Sequence, residues 1–547
     1  MPQVRLEHFE RAAADIGEHG DNDMLPFDID TKFVKERQSE LAKTAYAFFA
    51  QLQRDSEANS KNKVTSLTVF NERLLAPAGP TGVRVATKNQ PFWNIYLNGL
   101  GVAIADVLEP ERDASARSYR FLPGGGSELF NRSCSWRAFR EATVEDATSS
   151  GPNAIVVQTD IASFYEHISH HHIENFIDDL FPSDGRICKQ VTALVSKFSG
   201  GRSFGLPVGG QCSRILAELF MNAIDHRMTA SRIRWHRYVD DYVLVADSNA
   251  DAYKSLCTLS HNLADYGLTL NKTKTIMLTW KHYSDYVKTQ LGGGDDEADK
   301  LRQIDLHFDP YSETMDADYD SLKQTVESLE VQKLLNRELD KALPDNFLVT
   351  QIARTLRLHK PKVALQLAAT LLCERNLHAF RAAWTTLMRG VSALRGAESC
   401  DAISLELDDL LDAIPSHSNH LLQAEASLLH YLRTLRFRTT TIRAAFVQQT
   451  YGSTRFETVR RGCIECWRNW HDRGAFTHLR NRWDNLSPEC QRLVWLCAPT
   501  FGDQGLGFRR QIEASLENAW RLGIERQDIS SYAKIYREWA NDPNAGL

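Results

Sequence analysis

The fold is decided by the stretch 154-AIVVQTDIASFY-165, where a short β-branched run leads directly into an acidic residue. The run AIVVQT is too short for an isolated helix and has the composition of a buried strand. Asp160 then follows at the strand end, where the sheet would fix the direction of its carboxylate. The sequence therefore predicts a buried β-strand that presents one carboxylate at its end.

Two further motifs follow in order, GLPVGG at 205–210 and YVDD within RYVDDYVLVA at 237–246. The second contains two β-branched stretches around an acidic turn, which predicts a hairpin with Asp240 and Asp241 at its tip. Two hard cations about 3.5–4 Å apart need shared carboxylates on rigid supports. We therefore predict a site for two Mg²⁺ ions, one activating a 3′-hydroxyl and one neutralising a triphosphate. The alternative, that the aspartates are surface turn residues, requires three ordered motifs to coincide by chance.

In these motifs the chain resembles reverse transcriptases, with motif A in DIASFY, motif B in GLPVGG and motif C in YVDD. The resemblance covers residues 65–285 and implies a right-handed polymerase with fingers and a palm of antiparallel strands and flanking helices. GLTLNKTKT (267–275) resembles the next element, whose lysine is Lys274. The three aspartates are the implied catalytic residues, and the implied metal-binding set is Asp160, Ile161, Asp240 and Asp241.

The resemblance also implies residues that contact the incoming nucleotide. Tyr165, five residues after Asp160, is expected to lie under the sugar and exclude a 2′-hydroxyl, with core packing as the alternative. Phe164 is expected to point the other way along a strand, into the core. Arginines suit phosphate because their donors form a fork; the alternative for Arg84 is a surface salt bridge. The implied nucleotide-binding set is Arg84, Arg120, Tyr165, Pro207, Val208, Gly209 and Lys274.

Motif B departs from the usual pattern, because Val208 stands where reverse transcriptases usually have a nucleotide-contacting Gln. Glu218, on the following helix, is expected to pair with a nearby arginine. The combination of LPVGG, SRILAE and the upstream SYR at 118–120 is similar to the abortive-infection and defence-associated bacterial reverse transcriptases. That likeness implies deoxynucleotide joining in antiphage defence, homo-oligomers, and DNA synthesis that needs neither a supplied template nor a separate primer.

Two rival functions stay open. One is a catalytically inactive scaffold with a reverse transcriptase fold that binds nucleic acid. The other is a templated enzyme like those of retrons or group II introns. Tyr46 and Tyr451 are considered as priming hydroxyls, but the sequence does not choose among its tyrosines. It also leaves open the template, a companion noncoding RNA and the oligomer number.

The composition of the chain changes along its length and divides it into four segments. The predicted fold class is α+β, with a reverse transcriptase palm and fingers followed by an α-helical, HEAT-like repeat domain. Residues 295–320 hold ten acidic residues, as in a solvated connector, and β-branched runs almost vanish beyond 322. The predicted division is a helical extension at 1–64, fingers and palm at 65–285, an acidic connector at 286–321 and helical repeats at 322–547.

An arginine cluster stands out at 433–482, with eleven arginines, no lysine and interleaved aromatic residues. Arginine with aromatic residues is typical of single-stranded nucleic-acid binding. The alternative is an inter-domain or inter-subunit face that pairs with the acidic connector. The implied nucleic-acid-binding residues are Arg460, Arg461, Trp467 and Arg468.

The composition sets the remaining expectations. The 547 residues carry a net charge of −6, which excludes a uniformly basic nucleic-acid coat. The pair Cys463 and Cys466 is expected to be two packed thiols on one helix rather than half of a zinc site. The N-terminus has no apolar signal region, and no window approaches 18 apolar residues. We therefore expect a cytoplasmic protein with no membrane partner that binds deoxynucleoside triphosphates, single-stranded DNA product and RNA.

Overall fold

The computed structural model describes residues 3–67, 69–79, 82–291, 326, 329–341, 344–513, 532–542 and 545. Most of the predicted acidic connector lies outside these residues. Two predicted domain limits fall inside helices, because Glu57–Ser66 spans position 64 and Trp280–Leu291 spans position 285. Among the described helices, none is long and apolar enough to cross a membrane.

The strands form a hairpin and a separate four-stranded sheet, and every pairing in them is antiparallel. The sheet has the order β4-β5-β3-β6, so β3 lies between two neighbours. This position explains why its run from Ile155 to Val157 is buried. The strands are β1 (Asn71–Ala78), β2 (Gly82–Asn89), β3 (Ile155–Asp160), β4 (Arg234–Tyr238), β5 (Asp241–Ala246) and β6 (Ile276–Thr279).

Helices surround these strands in the first half of the chain. The fifth, Pro91–Leu108, is buried on almost every face and packs against the first and the tenth. The helices are α1 (Leu6–His19), α2 (Ile29–Glu36), α3 (Gln38–Leu52), α4 (Glu57–Ser66), α5 (Pro91–Leu108), α6 (Trp136–Ser149), α7 (Phe164–His167), α8 (His170–Leu180), α9 (Gly185–Phe198), α10 (Gln211–Ala230), α11 (Asn249–Ala264) and α12 (Trp280–Leu291).

Beyond residue 329 the described part of the chain contains helices and no strand. They are α13 (Val331–Leu339), α14 (Asn346–Thr355), α15 (Pro361–Leu372), α16 (Glu374–Ala379), α17 (Trp384–Arg395), α18 (Ser404–His417), α19 (Glu425–Leu435), α20 (Thr441–Ser453), α21 (Glu457–Asn469), α22 (Arg473–Asn481), α23 (Pro488–Cys497), α24 (Asp503–Ile512) and α25 (Tyr532–Ala540). In one row α14, α17, α19, α21 and α23 pack in succession, and in another α15, α18 and α20 do so. Two such rows are typical of helical repeats. The predicted α+β class with a helical C-terminal half is confirmed.

The N-terminal helices join the two halves. Phe33 on α2 packs against the rings of Tyr536 and Trp539 on α25. The indole of Trp539 also donates to Glu36 Oε2 at 2.6 Å. On the fingers side, the Glu72 carboxylate of β1 accepts the backbone N–H groups of Glu457 and Thr458 at the start of α21. A carboxylate at a helix N-terminus satisfies donors that have no partner within the helix.

Candidate active site

Motif A ends the central strand of the sheet. Asp160 is the last residue of β3, and its carbonyl accepts from the Asn271 backbone N–H at 2.7 Å. Its Oδ2 accepts from the Asn271 side chain at 3.1 Å and lies 3.0 Å from Lys274 Nζ. Lys274, the lysine expected from the sequence, therefore forms an ion pair with Asp160, the carboxylate expected from motif A. The chain then turns at Ser163, where φ is +46°, into the one-turn helix α7.

Motif C forms the tip of the β4–β5 hairpin. Tyr238 pairs with Asp241, so Val239 and Asp240 alone make the turn. Val239 has φ of +59°, a conformation that costs energy for a β-branched residue. Across the sheet Asp160 pairs with Asp241, and the Ile161 N–H donates to the Asp240 carbonyl at 3.1 Å. The three aspartates predicted from the sequence are therefore neighbours.

Their carboxylates repel one another. Burial, together with the charges of Asp160 and Asp241, raises the pKa of Asp240 to about 7. The pKa of Asp241 is also raised, by burial and then by Asp160. Carboxylate oxygens are the ligands that Mg²⁺ prefers, and a cation would relieve this repulsion, so the donor set fits the predicted ions. Among the described residues, no group of three or more His, Cys, Asp or Glu side chains is arranged so that it could hold a metal ion.

A buried ionic network lies beneath motif C. The Arg237 side chain is fully buried and donates to Asp225 Oδ2 at 2.6 Å and Glu218 Oε2 at 2.8 Å. Glu218 also accepts from Arg112 at 2.6 Å, so its predicted pairing with an arginine is present. Burial favours the neutral carboxyl, but the two arginines outweigh it and lower the pKa of Glu218.

This network holds the strained turn. Arg237 Nη1 donates to the Val239 carbonyl at 2.9 Å, and the Val239 N–H donates to Ser118 Oγ at 2.8 Å. Ser118 in turn donates to Glu218. Both backbone groups of Val239 are thus fixed by the same network, which explains how a left-handed valine persists beside the aspartates.

Tyr165 lies beside this cluster. It is half-buried, and burial raises its pKa well above the ordinary value. Its carbonyl accepts from the Leu206 N–H at 2.8 Å, which ties motif A to motif B. Phe164 is buried as predicted, although both residues lie on helix α7 rather than on a strand. The guanidinium of Arg214, on α10, lies 5.1 Å from the centroid of the Tyr119 ring.

The motif B loop is covered by the loop between α1 and α2, residues 20–28, which we call the N-terminal loop. The Val208 carbonyl accepts from the Thr87 N–H at 2.9 Å and from Asn22 Nδ2 at 3.4 Å. Gly209 has φ of +120°, and a Cβ there would lie 2.0 Å from Asn22 Nδ2. Pro207 is buried, and its carbonyl accepts from Ser213. Motif B is thus held between the fingers hairpin and the N-terminal loop.

The two predicted phosphate-binding arginines differ in their surroundings. Arg84 is exposed on β2. Arg120 requires a correction, because its guanidinium pairs with Glu109 and donates to the carbonyls of Asp113 and Ala116. These contacts use its donors to fix the segment that carries Ser118 and Tyr119, so Arg120 has a structural role.

Sequence reasoning missed a second pair of cations, Arg73 and Arg202, near Glu166. The pKa of Arg73, on β1, is lowered by burial and then by the nearby charge of Arg202, while Glu166 opposes the shift. Arg202 lies over the Phe204 ring at 5.4 Å. Two guanidinium groups that repel each other favour an anion between them. The sequence offered no signal, because these residues belong to no motif and are separated by more than a hundred positions.

The predicted arginine cluster also requires corrections. Arg461 is buried and pairs with Asp30 at 2.6 Å, and Trp467 is buried against the Tyr451 ring. Neither is available to a nucleic acid. Arg460 pairs with Glu457, and Arg468 is half-exposed. The alternative of an inter-domain face therefore describes Arg461, although its partner lies in the N-terminal helices.

The cysteine pair behaves as expected of packed thiols. Cys463 and Cys466 lie on α21 and are both fully buried. Burial raises the pKa of each thiol, which disfavours the thiolate that a zinc ion needs.

Comparison with known proteins agrees with the geometry of the motifs. Residues 95–300 match the family described as reverse transcriptase (RNA-dependent DNA polymerase). This stretch is a reverse transcriptase domain. The domain contains all three aspartates, motif B, Tyr165 and Lys274, and the predicted right-handed polymerase fold is confirmed. No curated protein matches the chain.

Solved structures of telomerase are among those similar to the chain. Telomerase from Candida albicans, in complex with a TWJ fragment of telomeric RNA, has 14% identity and a TM-score of 0.33, covering 63% of this chain and 67% of that one. Apo telomerase from Candida tropicalis has 12% identity and a TM-score of 0.31, covering 69% and 73%. Its C-terminally truncated form has 14% identity and a TM-score of 0.29, covering 41% and 54%. These similarities assign no activity to this chain.

Proposed function

We propose that this chain is a reverse-transcriptase-like DNA polymerase that joins deoxynucleotides with two Mg²⁺ ions. The observation that carries the proposal is the convergence of Asp160 with the Asp240–Asp241 turn on neighbouring strands. Mg²⁺, when bound, supplies charge neutralisation and activation of a 3′-hydroxyl. The three aspartates and the backbone of Ile161 would hold it.

The surrounding side chains would orient the nucleotide. Lys274 and the pair Arg73 and Arg202 are the candidate cations for the triphosphate, because Lys274 pairs with Asp160 and the arginine pair lies near Glu166, the residue after Tyr165. Tyr165 would exclude a ribose 2′-hydroxyl with its ring. Arg214, held over the Tyr119 ring, acts with its charge on Tyr165 and is the candidate for the polar contact that Val208 lacks.

We further propose a role in antiphage defence by abortive infection, in the cytoplasm and as a homo-oligomer. Support comes from the LPVGG and SYR motifs together with the helical C-terminal half. The proposed division is a helical extension at 1–64, fingers and palm at 65–285, a connector at 286–321 and helical repeats at 322–547. Val208 and the N-terminal loop over motif B favour synthesis that needs no supplied template.

Synthesis without a separate primer needs a hydroxyl from the protein. A tyrosine suits this step because its phenol ionises near pH 10, and a bound cation would lower that value further. Burial raises the pKa of Tyr451 to about 12, which counts against it. Tyr46 is half-buried and packs against Phe9.

An inactive scaffold is the second candidate, and the ion pair of Lys274 with Asp160 favours it, because the lysine neutralises a carboxylate that would bind metal. The mutual repulsion of the aspartates counts against it, because a site without catalytic use would gain stability by losing one of them. A retron-like or group II-like templated enzyme is less well supported, because Val208 lacks the usual polar contact.

The deciding experiment follows labelled dNTP. The purified protein is incubated with α-³²P-dNTP and Mg²⁺, boiled in detergent and separated by electrophoresis, with and without nuclease or protease. We expect label on the polypeptide and, after nuclease, a nucleotide remnant on one tyrosine.

Label found only on free DNA, or on an added primer, would contradict protein priming but retain the polymerase. Incorporation that requires an added RNA template would favour the templated alternative. No incorporation with any template or primer would favour the scaffold.

A further inference from the structure

A large cleft lies between the N-terminal helices and the helical half of the chain. Its volume is about 1070 Å³, above the roughly 300–1,000 Å³ of pockets that hold a drug-sized ligand. One wall comes from α1, α2 and the N-terminal loop, and the other from α17, α19 and α21. It belongs to neither the aspartate site nor motif B.

The walls of the cleft carry an excess of positive charge, with seven basic and four acidic side chains. On helices α1 and α2 both acids that line the cleft already have cations. Glu18 Oε2 lies 3.5 Å from Lys35 Nζ, and Glu36 Oε1 lies 3.8 Å from Lys32 Nζ.

The remaining two acids are also engaged. Glu465 pairs with Arg436 at 2.6 Å, and Asp28 pairs at 3.0 Å with Lys88, which stands behind the wall. Arg389 donates to two backbone carbonyls of the N-terminal loop. Because carbonyl groups are neutral, these hydrogen bonds do not compensate its positive charge. An anion would therefore find the excess positive charge on the wall formed by the helical half of the chain, where five arginines face one acid, Glu465.

An aromatic surface accompanies this charge. Phe437 lines the cleft and is 44% exposed, although it is a large apolar side chain. The Arg395 guanidinium lies 5.6 Å from its ring centroid and supports one face. Proteins that bind single-stranded nucleic acids combine cations with exposed rings, because the phosphates pair with the cations while a base stacks on the ring.

The cleft is separated from motif B by one segment of chain. Its wall includes Phe27 and Asp28 of the N-terminal loop. The same loop contacts Val208 and Gly209 through Asn22, and its Asp23 pairs with Arg214 at 2.6 Å. The N-terminal loop therefore lies between motif B and the cleft. A nucleic-acid strand that leaves the polymerase site has to pass only this loop to reach the cleft.

We propose that the cleft between the N-terminal helices and α17, α19 and α21 binds a single-stranded phosphodiester chain. The proposal extends the proposed polymerase function, because the strand is either the DNA product or a separate RNA. Arg468 is one of its phosphate contacts and Phe437 its stacking surface. Of the four nucleic-acid contacts expected from the sequence, Arg468 is the one that lines this cleft.

The test measures oligonucleotide binding without catalysis. Labelled oligo(dT) and oligo(rU) are titrated by fluorescence anisotropy in EDTA, over a series of KCl concentrations, with the full chain carrying Asp240→Asn and Asp241→Asn. Arg468→Glu is expected to weaken binding at least tenfold and to reduce the salt slope by about 0.7 or more, since one fewer counterion is released. Arg468→Lys should bind within threefold of the parent. Phe437→Ala should lose about fivefold or more without changing the slope.

The matched control is Arg473→Glu, which reverses an exposed arginine on α22 outside the cleft. It should leave affinity and slope unchanged. Parental affinity and slope in both Arg468→Glu and Phe437→Ala would overturn the proposal, as would equal loss in Arg473→Glu. Full competition by inorganic phosphate at the concentration of oligonucleotide phosphates would instead indicate a small-anion site and also overturn it.

The two oligonucleotide arms distinguish the sources. Tighter binding of oligo(dT) indicates the product strand, and tighter binding of oligo(rU) indicates a separate RNA. Cleft binding by a chain whose parent incorporates no nucleotide would support this inference and refute the proposed polymerase. Nucleotide incorporation by the parent without oligonucleotide binding in the cleft would support the proposed polymerase and refute this inference.

Discussion

Arg237→Met removes the centre of the ionic network beneath motif C. Among the described residues, the variant leaves the buried Asp225 with only the Tyr242 hydroxyl, at 2.8 Å, as its partner. Glu218 keeps Arg112. Removing one partner of a buried ion pair costs about 3–5 kcal/mol because the other charge stays buried and uncompensated.

The variant also releases the Val239 carbonyl, so the strained turn that carries Asp240 loses one of its two supports. The loss corresponds to a fall in the thermal midpoint of roughly 6–20 °C, taking about 2–4 °C per kcal/mol for a domain of this size. We expect nucleotide incorporation at a temperature well below both midpoints to fall as well, since the aspartates lose their fixed geometry.

The assay is differential scanning fluorimetry with incorporation measured on the same preparations. Arg234→Met is the control, because Arg234 lies on the same strand but pairs with Asp247 at the exposed surface. Exposed pairs contribute about 1 kcal/mol or less, so this variant should stay within a few degrees of the parent. Adding Asp225→Asn to Arg237→Met should recover part of the stability by removing the unpaired charge. A midpoint for Arg237→Met equal to that of Arg234→Met, or a further loss on adding Asp225→Asn, would refute the reasoning.

Two other predictions concern single residues. Tyr165→Ala should increase ribonucleotide use relative to deoxynucleotide use, by roughly 10²-fold in the ratio of kcat/KM, because it opens space at the sugar; an unchanged ratio would show that the ring is not the gate. Burial raises the pKa of Asp15 to about 6, so the folded state holds an extra proton between about pH 4 and 6 and stability falls as pH rises through that window. Asp15→Asn should therefore stabilise the protein above pH 6, by about 3 kcal/mol at most, with a gain that shrinks towards pH 4; an equal change in midpoint at both pH values would contradict this.

The sequence predicted the elements that local patterns encode. The run before Asp160 is a strand because its β-branched residues suit a position between two neighbouring strands. The YVDD turn is a hairpin tip because the aromatic residues Trp235 and Tyr238 favour a strand before it, while Val243 and Val245 favour a strand after it. Composition alone separated the helical half of the chain from the palm.

The missed features depend on distant contacts or on backbone strain. Residues 164–167 form a helical turn rather than a strand because Ser163 adopts positive φ, which no pattern of residue types announces. Arg461 belonged to a conspicuous basic cluster, yet its partner Asp30 lies 431 positions away. Arg120 satisfied a motif, but Glu109 and two carbonyls take its donors. A charge cluster in a sequence therefore does not distinguish a binding groove from an interface.

The central claim is that Asp160, Asp240 and Asp241 form a working polymerase site. The most direct measurement is incorporation of α-³²P-dNTP by the purified protein, compared with the variant that carries Asp240→Asn and Asp241→Asn. The control pair Asp178→Asn and Asp179→Asn neutralises two adjacent aspartates on α8. We predict incorporation by the parent and the control, none by the active-site variant, and a thermal midpoint of that variant equal to or above the parent's because repulsion is relieved. Incorporation by the Asp240→Asn and Asp241→Asn variant at the parental rate would contradict the account.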